Sequence, residues 1–534
     1  MSECPICKYN KASLIESTEN GFYIYKCLSC ETCYSLPCNP TKVPKYDYIN
    51  EKTHSRKEIE EVIKILEVIK QVKCDTGDNI SVLEIGSGDF RHLIILRRMF
   101  PTIKLIGVDL AYEALIKEDS IKTILDKYNI EAINSLENLI INNHKFDLIY
   151  FFHVLGHIEN PEEFLLKIRS LLKDDGYVMF SVPNPDRLSK KVFGNEEWDY
   201  PPYHFYRFSV KSINHLLEAT NLQVITVKQY QLKLKYDFYI YKEKLRHIIF
   251  SKIKRLKDLI TSNRRNYKNY STVNHIDNGV YNQSVKISVK DFIKNFISPI
   301  YTSLGSILFF ILYLYDLLYY KKGALSMAVI AKKRKEGKDN ASYVVFDFDG
   351  TIINKDSFIS YTNFLGKNSI LMKIFIRFLQ ELYYSKIISN TLFKVLLWKM
   401  IPLKYKSDNF IRNFVLSCLT EKYHNREVIS ELMATQSKDI LVISATHFMI
   451  VRSFFQIYYP DLLSNKGIKV FGSSYNSLCD KFFINNLRGK NKLKLLEFLG
   501  IGELELLYTD SIEEDRYLYN VSKKCKIVGD INEY

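Results

Sequence analysis

The chain has 534 residues and a formal net charge of +15, with 47% hydrophobic, 25% charged and 14% aromatic residues. That length is too great for a single hydrophobic core, and the composition excludes a disordered or low-complexity polymer, so several folded units are expected. The positive balance favours an anionic partner, and where the charge sits decides among nucleic acid, a membrane surface and a phosphorylated small molecule.

The first unit announces itself by cysteine. Cys4, Cys7, Cys27, Cys30, Cys33 and Cys38 fall in the first 38 residues, while Cys74, Cys418, Cys479 and Cys525 stand alone. The opening MSECPICKYN lacks the apolar run of a secretory signal, so a reducing cytoplasm is the expected compartment, and a disulfide framework is not expected. Cys4-x2-Cys7 and Cys27-x2-Cys30 are separated by nineteen residues, a spacing at which two thiolate knuckles close a tetrahedral zinc site. Four thiolates leave no open coordination position, so Zn2+ here is expected to be structural. Residues 1–40 read as a zinc ribbon, with Cys33 and Cys38 as spare or alternate ligands.

In RKEIEEVIKILEVIKQV, Ile59, Val62, Ile63, Leu66 and Ile69 recur at helical spacing. From Ser81 onward the β-rich runs SVLEIG, KLIGVDL, FDLIYFF and YVMFSVPN alternate with helical segments, which predicts a parallel sheet wrapped by helices; 221–230 and 325–333 read as two further strands. VLEIGSGDF places Glu84, Gly86 and Gly88 at a strand end, where glycines let the backbone approach a nucleotide-like ligand. Asp109 ends the next strand, placed to accept hydrogen bonds from ribose hydroxyls. The missing lysine and Ser/Thr argue against a P-loop, and the frame Glu84-x-Gly86-x-Gly88 is not the G-x-G-x-x-G of a nicotinamide site.

Over about residues 45–333, VLEIGSG, GVDL and FDLIYFFHVLGHIENPEEFLLKIRSLLKDDGYVMFSVPNPD resemble class I S-adenosylmethionine-dependent methyltransferases. The cysteine module ahead, and WDYPPYHFYRFS after the fifth strand, resemble methyltransferases of bacterial surface-polysaccharide pathways. The resemblance implies S-adenosylmethionine as cofactor, with Glu84, Gly86 and Gly88 on its methionine side, Asp109 on its ribose and His153 beside the methyl donor. Phe90 stands where the family has a third small residue, and one alternative is that its bulky side chain crowds the cofactor and methyl transfer is lost. His157 reads as a non-catalytic histidine and His204 as an acceptor-site residue. The unit is expected over 41–333, with a basic and then apolar insertion at 231–324.

Within that insertion, Lys242, Lys244, Arg246, Lys252, Lys254, Arg255 and Lys257 alternate with Leu245, Ile248, Ile249, Leu256 and Leu259, a pattern for a basic amphipathic helix lying on anionic lipid or packing on its own domain. The apolar run 304–320 contains Asp316 and is near the lower length limit of a membrane span. Strand 325–333 must return to the side of the sheet, which disfavours a simple crossing and favours an interfacial or re-entrant segment or a buried helix pair. Neither charges nor aromatics form a nucleic-acid module, so nucleic acid is disfavoured as a partner.

The charged stretch Lys332–Ser342 reads as a linker, assigned to 334–342, and a new unit follows over 343–534. VVFDFDGTI places Asp347 and Asp349 two apart at a strand end, followed by Gly350 and Thr351. Such a pair suits phosphoryl transfer: Asp347 attacks phosphorus, and Asp349 protonates the leaving oxygen and later activates water. Both nucleophile and phosphate are anionic, so Mg2+ and a cation are expected. Ser444 in LVISAT is a hydroxyl donor for phosphate, Lys492 in RGKNKLKLLEFLG is the cation, and Asp510 in LLYTDS is a metal carboxylate. These motifs resemble the four motifs of the haloacid dehalogenase superfamily, which implies a magnesium-dependent phosphatase. The helical segment at about 357–435 resembles the cap of its phosphoserine-phosphatase-like branch. Glu514 and Asp515 both qualify as the second acidic residue of the last motif, and Asp515 is preferred because DRYL resembles the family's continuation. The expected magnesium set is Asp347, Asp349, Asp510 and Asp515.

The expected fold is thus multidomain α/β: a zinc ribbon, a Rossmann-like methyltransferase sheet and a second Rossmann-like unit with a helical cap. The expected protein is a bifunctional cytoplasmic enzyme of glycan or glycolipid precursor metabolism, peripheral on the inner face of the membrane, acting on a small-molecule or lipid-linked phosphorylated substrate. Its rivals are a phosphatase with an inactive methyltransferase-like half and a membrane-peripheral scaffold.

Overall fold

The computed structural model describes residues 3–18, 21–38, 56–73, 79–109, 119–194, 199–201, 203–230, 232, 310–334, 342–436, 439–475 and 483–528. The basic stretch 242–260 and the start of the apolar run 304–320 lie outside them. The described residues form a mixed α/β structure of three sheets.

The N-terminal sheet is an antiparallel meander of β1 (Ala12–Ser17), β2 (Tyr23–Cys27) and β3 (Cys33–Leu36), bulged between Leu14 and Glu16. Its own core is slight, with Tyr25 stacked on Tyr34 at 5.7 Å. Each cysteine knuckle closes with a left-handed residue directly after its second cysteine, Lys8 at φ 59° and Glu31 at φ 62°, and these residues donate to Cys4 O and Cys27 O.

Helix α1 (Arg56–Lys73) precedes a seven-stranded sheet built from β4 (Ser81–Ile85), β5 (Lys104–Val108), β6 (Glu131–Ile133), β7 (Phe146–Phe152), β8 (Leu172–Pro183), β10 (Leu222–Gln229) and β11 (Ser326–Lys333). The spatial order is β10-β11-β8-β7-β4-β5-β6; the β4 to β8 strands are parallel, and β11 runs antiparallel between β8 and β10. The parallel centre is buried on both faces, which is why SVLEI and FDLIYFF read as continuous apolar runs rather than alternating ones. Strand β9 (Tyr206–Arg207) leaves this unit altogether and pairs with β3, extending the N-terminal sheet to four strands.

The apolar run is helical from Phe310 and ends in a π-helical turn, Asp316–Tyr320. Asp316, the residue that breaks its apolarity, is fully buried and accepts hydrogen bonds from the backbone N–H groups of Leu232, Lys322 and Gly323. Its carboxylate thereby fastens the return of the chain into β11. Among the described residues no helix is long and apolar enough to cross a membrane.

The C-terminal sheet is wholly parallel, in the order β14-β13-β12-β15-β16, from β12 (Tyr343–Asp347), β13 (Asp439–His447), β14 (Lys469–Ser473), β15 (Leu504–Thr509) and β16 (Ser522–Ile527). Between β12 and β13 lie the cap helices α2 (Ser357–Asn368), α3 (Ile370–Tyr384), α4 (Asn390–Met400), α5 (Asp408–Cys418) and α6 (Arg426–Ala434). Asp356, Ser369, Ser389, Ser407 and Asn425 respectively cap them, each side chain accepting from a backbone N–H of the first turn.

One apolar stripe is visible in the sequence of α1, but the structure buries the helix nearly all round. Ile65 and Val68 are as enclosed as Val62 and Leu66, because α1 lies between the seven-stranded sheet and the C-terminal sheet. A single apolar cluster runs from Leu66 and Leu148 through Tyr177 to Val345, Leu441, Phe471 and Phe498. Tyr177 stacks on Phe498 at 5.4 Å. The Gln71 side chain pairs with the backbone of Gly472, donating to its O at 3.0 Å and accepting from its N at 3.2 Å.

Candidate functional sites

In the N-terminal sheet the two knuckles bring Cys4 Sγ to 3.7 Å from Cys30 Sγ and Cys7 Sγ to 3.5 Å from Cys27 Sγ, and all four sulfurs lie within 4.8 Å of one another. Four thiolates about 2.3 Å from a tetrahedral zinc have this spacing, so the donor set fits the ion. The Cys4 thiol is pushed down to about 5 by the hydrogen bond with Cys30, whose own thiol is pushed up by the same contact. Cys33 and Cys38 are outside this cluster. The module is tied to the following unit by Ser209 Oγ donating to Cys30 O, Thr32 Oγ1 donating to Arg207 O at 3.2 Å, and Ser35 N donating to Phe205 O at 3.0 Å.

The second site forms where β7, β4 and β5 lie side by side. Their C-terminal ends carry His153, the loop Gly86–Gly88 and Asp109. Gly86 and Gly88 adopt φ of 75° and 52°, and a Cβ on Gly86 would come within 2.8 Å of Val154. Gly88 N donates to Asp109 Oδ2 at 2.8 Å, which holds the carboxylate at the loop. Glu84 lies beneath, buried and paired with His92 Nδ1 at 2.8 Å, and burial raises its carboxyl above the ordinary range. His92, which sequence reasoning passed over, sits on the helix after the loop and packs edge-on against Phe152 at 5.2 Å.

Phe90 does not fill this mouth. It adopts the left-handed conformation at φ 59°, as a glycine would, and its ring is fully buried in the core. The ring lies over Gly107 of β5, where a Cβ would come within 2.8 Å of it. The alternative in which this ring crowds the cofactor finds no support in its placement, because the absence of a side chain at Gly107 leaves room for the ring in the core. His204 stacks on His157 at 4.5 Å and covers Gly156, where a Cβ would come within 2.5 Å of its ring. His204 thus belongs to the segment that continues into β9, so the cysteine module braces it.

The third site lies at the C-terminal ends of β12, β13 and β15. Lys492 donates to Asp347 Oδ1 at 2.6 Å and pairs with Asp515 at 2.8 Å, while Thr509 Oγ1 donates to Asp515 at 2.9 Å. Burial pulls the Lys492 ammonium down, but Asp347 and Asp515 outweigh it and hold the group above its ordinary value. Burial raises Asp347 to about 8 against the pull of Lys492. The Asp349 carboxylate accepts from Ser357 N at 2.8 Å, Ser357 Oγ at 2.5 Å, Ser444 Oγ at 3.1 Å and Thr446 Oγ1 at 2.9 Å, yet burial still raises it. Gly350, at φ 78°, admits the Asp510 carboxylate: a Cβ there would lie 2.1 Å from Asp510 Oδ2.

The four carboxylates expected around one metal are therefore divided in role. Asp347 and Asp515 share the Lys492 ammonium, Asp349 is held by hydroxyls, and Asp510 lies exposed against Gly350; among the described residues no three carboxylates converge as the cysteines do. Glu514 faces outward and pairs with Arg488, so the inner acidic residue is Asp515. Ser444 turns its hydroxyl to Asp349. Sequence reasoning missed Lys394 of α4, which is buried and donates to Ala445 O at 3.0 Å beside Ser444; burial lowers its ammonium to about 8. Its signal was a lysine in an otherwise apolar helical stretch, FKVLLW.

No curated protein matches the chain. Among solved structures it is similar to the plantazolicin methyltransferase BpumL in complex with a monoazolic desmethyl analogue and SAH, at 13% identity and a TM-score of 0.29, over 54% of this chain and 88% of that one. Coclaurine N-methyltransferase bound to N-methylheliamine and SAH is 15% identical, with a TM-score of 0.28, over 53% and 75% of the two chains. The [4+2]-cyclase SpnF is 12% identical, with a TM-score of 0.28, over 51% and 80%. Likenesses this distant bear on neither reaction nor acceptor. The family model described as a methyltransferase domain matches residues 55–227, the stretch that contains Glu84, Gly86, Gly88, Asp109 and His153, and it is to this family that the central part of the chain is similar.

Proposed function

We propose a bifunctional enzyme in which residues 41–333 transfer a methyl group from S-adenosylmethionine and residues 343–534, a haloacid dehalogenase-type unit, hydrolyse a phosphate monoester. The observation that carries the second activity is the buried Lys492 ammonium bridging Asp347 and Asp515 while Asp349 is anchored separately by three hydroxyls. The Lys492 bridge aims the Asp347 carboxylate and favours its charged form against the burial that raises it, as a nucleophile needs, and burial raises Asp349, the direction that suits an acid.

An oxygen of Asp347 forms a bond to phosphorus as the ester oxygen leaves and takes the proton of Asp349. Asp349 then takes a proton from water as that water attacks the aspartyl-phosphate, which returns Asp347 and releases phosphate. Asp347 and Asp510, the latter seated against Gly350, would hold magnesium, which would neutralise charge on the phosphoryl oxygens. Lys394 reaches the same region from the cap.

In the methyltransferase domain, Asp109 would hold the ribose hydroxyls and the Gly86–Gly88 backbone would pass close beneath the methionine moiety, with His153 at the neighbouring strand end. S-adenosylmethionine supplies the electrophilic methyl group. His204, braced by the zinc-bearing module, would border the acceptor. Membership in glycan or glycolipid precursor metabolism, in the cytoplasm, rests on the resemblance of the cysteine module and of WDYPPYHFYRFS.

The purified full chain should hydrolyse phosphate monoesters with magnesium, and Asp347→Asn should abolish turnover because an amide is a far poorer nucleophile. Undiminished turnover in the folded variant would refute the assignment. Calorimetry with S-adenosylhomocysteine tests the other half: binding weakened by Asp109→Ala is expected, and no heat at millimolar ligand would refute it.

A further inference from the structure

Helix α3 of the cap is apolar on two faces. Met372, Ile376 and Leu379 point inward, whereas Leu371, Ile374 and Phe378 lie on the opposite face, with exposures of 79%, 61% and 58%, and Ile370 beside them is 78% exposed. The spacing of three and four residues makes this one continuous stripe. Single exposed apolar side chains are ordinary, but a contiguous set rimmed by charge marks an interaction surface.

The rim names the partner's chemistry. Residues 357–407 contain eight lysines and arginines against one acidic residue, Glu381. Lys367, Lys373, Arg377 and Lys386 are exposed on and around α3. A second copy would bring the same positive charge to the same face, and the chain's own insertion, with Lys242, Lys244 and Arg246, carries that sign too. An apolar stripe bordered by cations, with almost no acid nearby, matches the boundary between acyl chains and anionic headgroups.

We propose that the outward face of α3 docks on an anionic lipid bilayer, with the helix lying in the headgroup plane. The docking itself does not depend on the phosphatase reading. What does rest on that reading is the consequence: α4, the next cap helix, sends Lys394 to the carboxylate site, so a docked cap holds that site close to phosphate esters carried by lipids.

The test is co-sedimentation of the full chain with vesicles of phosphatidylcholine, with and without phosphatidylglycerol. Wild type should partition onto the anionic vesicles, and L371E/I374E/F378E should lower that partition about tenfold or more, with thermal unfolding unchanged. K373E/R377E, which keeps the apolar stripe, should weaken anionic binding and remove its salt dependence. Asp347→Asn should partition as wild type, which separates docking from hydrolysis. Undiminished partition of the triple variant, equal binding to neutral vesicles, absence of binding, or a wild-type dimer that the triple variant dissociates would each overturn the proposal.

Discussion

Replacing Phe90 separates two accounts of that residue. If its ring obstructed the cofactor, a smaller side chain would improve binding; in the structure the ring is a fully buried part of the core, packed over Gly107 and near Leu93. Phe90→Ala should therefore cost about 3–5 kcal/mol for lost burial and the cavity left behind. The left-handed backbone at φ 59° persists in that variant, since alanine is no more at ease there than phenylalanine. Phe90→Gly loses the same ring but regains about 1 kcal/mol from the backbone, so it should be the less damaged of the two. Equilibrium denaturation in urea gives the stabilities, and calorimetry with S-adenosylhomocysteine gives affinities, which should not rise in either variant. A tenfold gain in affinity with a stability loss below about 1 kcal/mol would show that the ring occupies the mouth after all.

Gly350→Ala should lower phosphate hydrolysis about a hundredfold or more in a folded protein, because the new methyl group would displace Asp510 by an ångström or more; steady-state kinetics at saturating magnesium checks this. One zinc per chain should be recovered by metal analysis, and Cys30→Ser should lose it and expose the backbone around Arg207 to hydrogen exchange. His447, buried and stacked on Trp398 at 3.6 Å, is pulled down by burial to about 3. Unfolded histidine titrates near about 6.5, so the unfolded chain binds a proton the folded one refuses, and stability is lost as pH falls from 6.5 toward 3 by up to about 1.4 kcal/mol per unit. His447→Asn should flatten that slope in urea titrations between those values. Gln71→Ala should cost about 2–4 kcal/mol, read from the denaturation midpoint, because both backbone groups of Gly472 would stay buried without it.

The elements most legible in the sequence were those whose pattern is local. Buried parallel strands such as SVLEI and YVVFD are short apolar runs with a turn at the end, and the cysteine knuckles and the Asp347-x-Asp349 pair are set by spacing alone. Strand β14, KVFGS, is short and carries little apolar signal, and β6 has three residues, so neither stood out. The pairing of β9 with β3 and the choice between Glu514 and Asp515 depend on partners far along the chain. Phe90 illustrates the same limit: whether a ring at that position blocks the loop is decided by Gly107, a residue of the next strand. The Asp316 carboxylate reads in sequence as a flaw in an apolar run, and only the turn it fastens gives its reason.

The placement of α1 sets a problem of timing for the cell. Gln71 and Gly472, which clasp across the two sheets, are 401 residues apart. At about 5–20 residues added per second, a ribosome needs roughly 20–80 seconds to travel between them. Throughout that interval the face of α1 destined for the C-terminal sheet, with Gln71 on it, has emerged without its cover. The nascent chain accordingly carries that surface exposed until the C-terminal sheet is made, and the two α/β units are joined by their order of synthesis as much as by the contact itself.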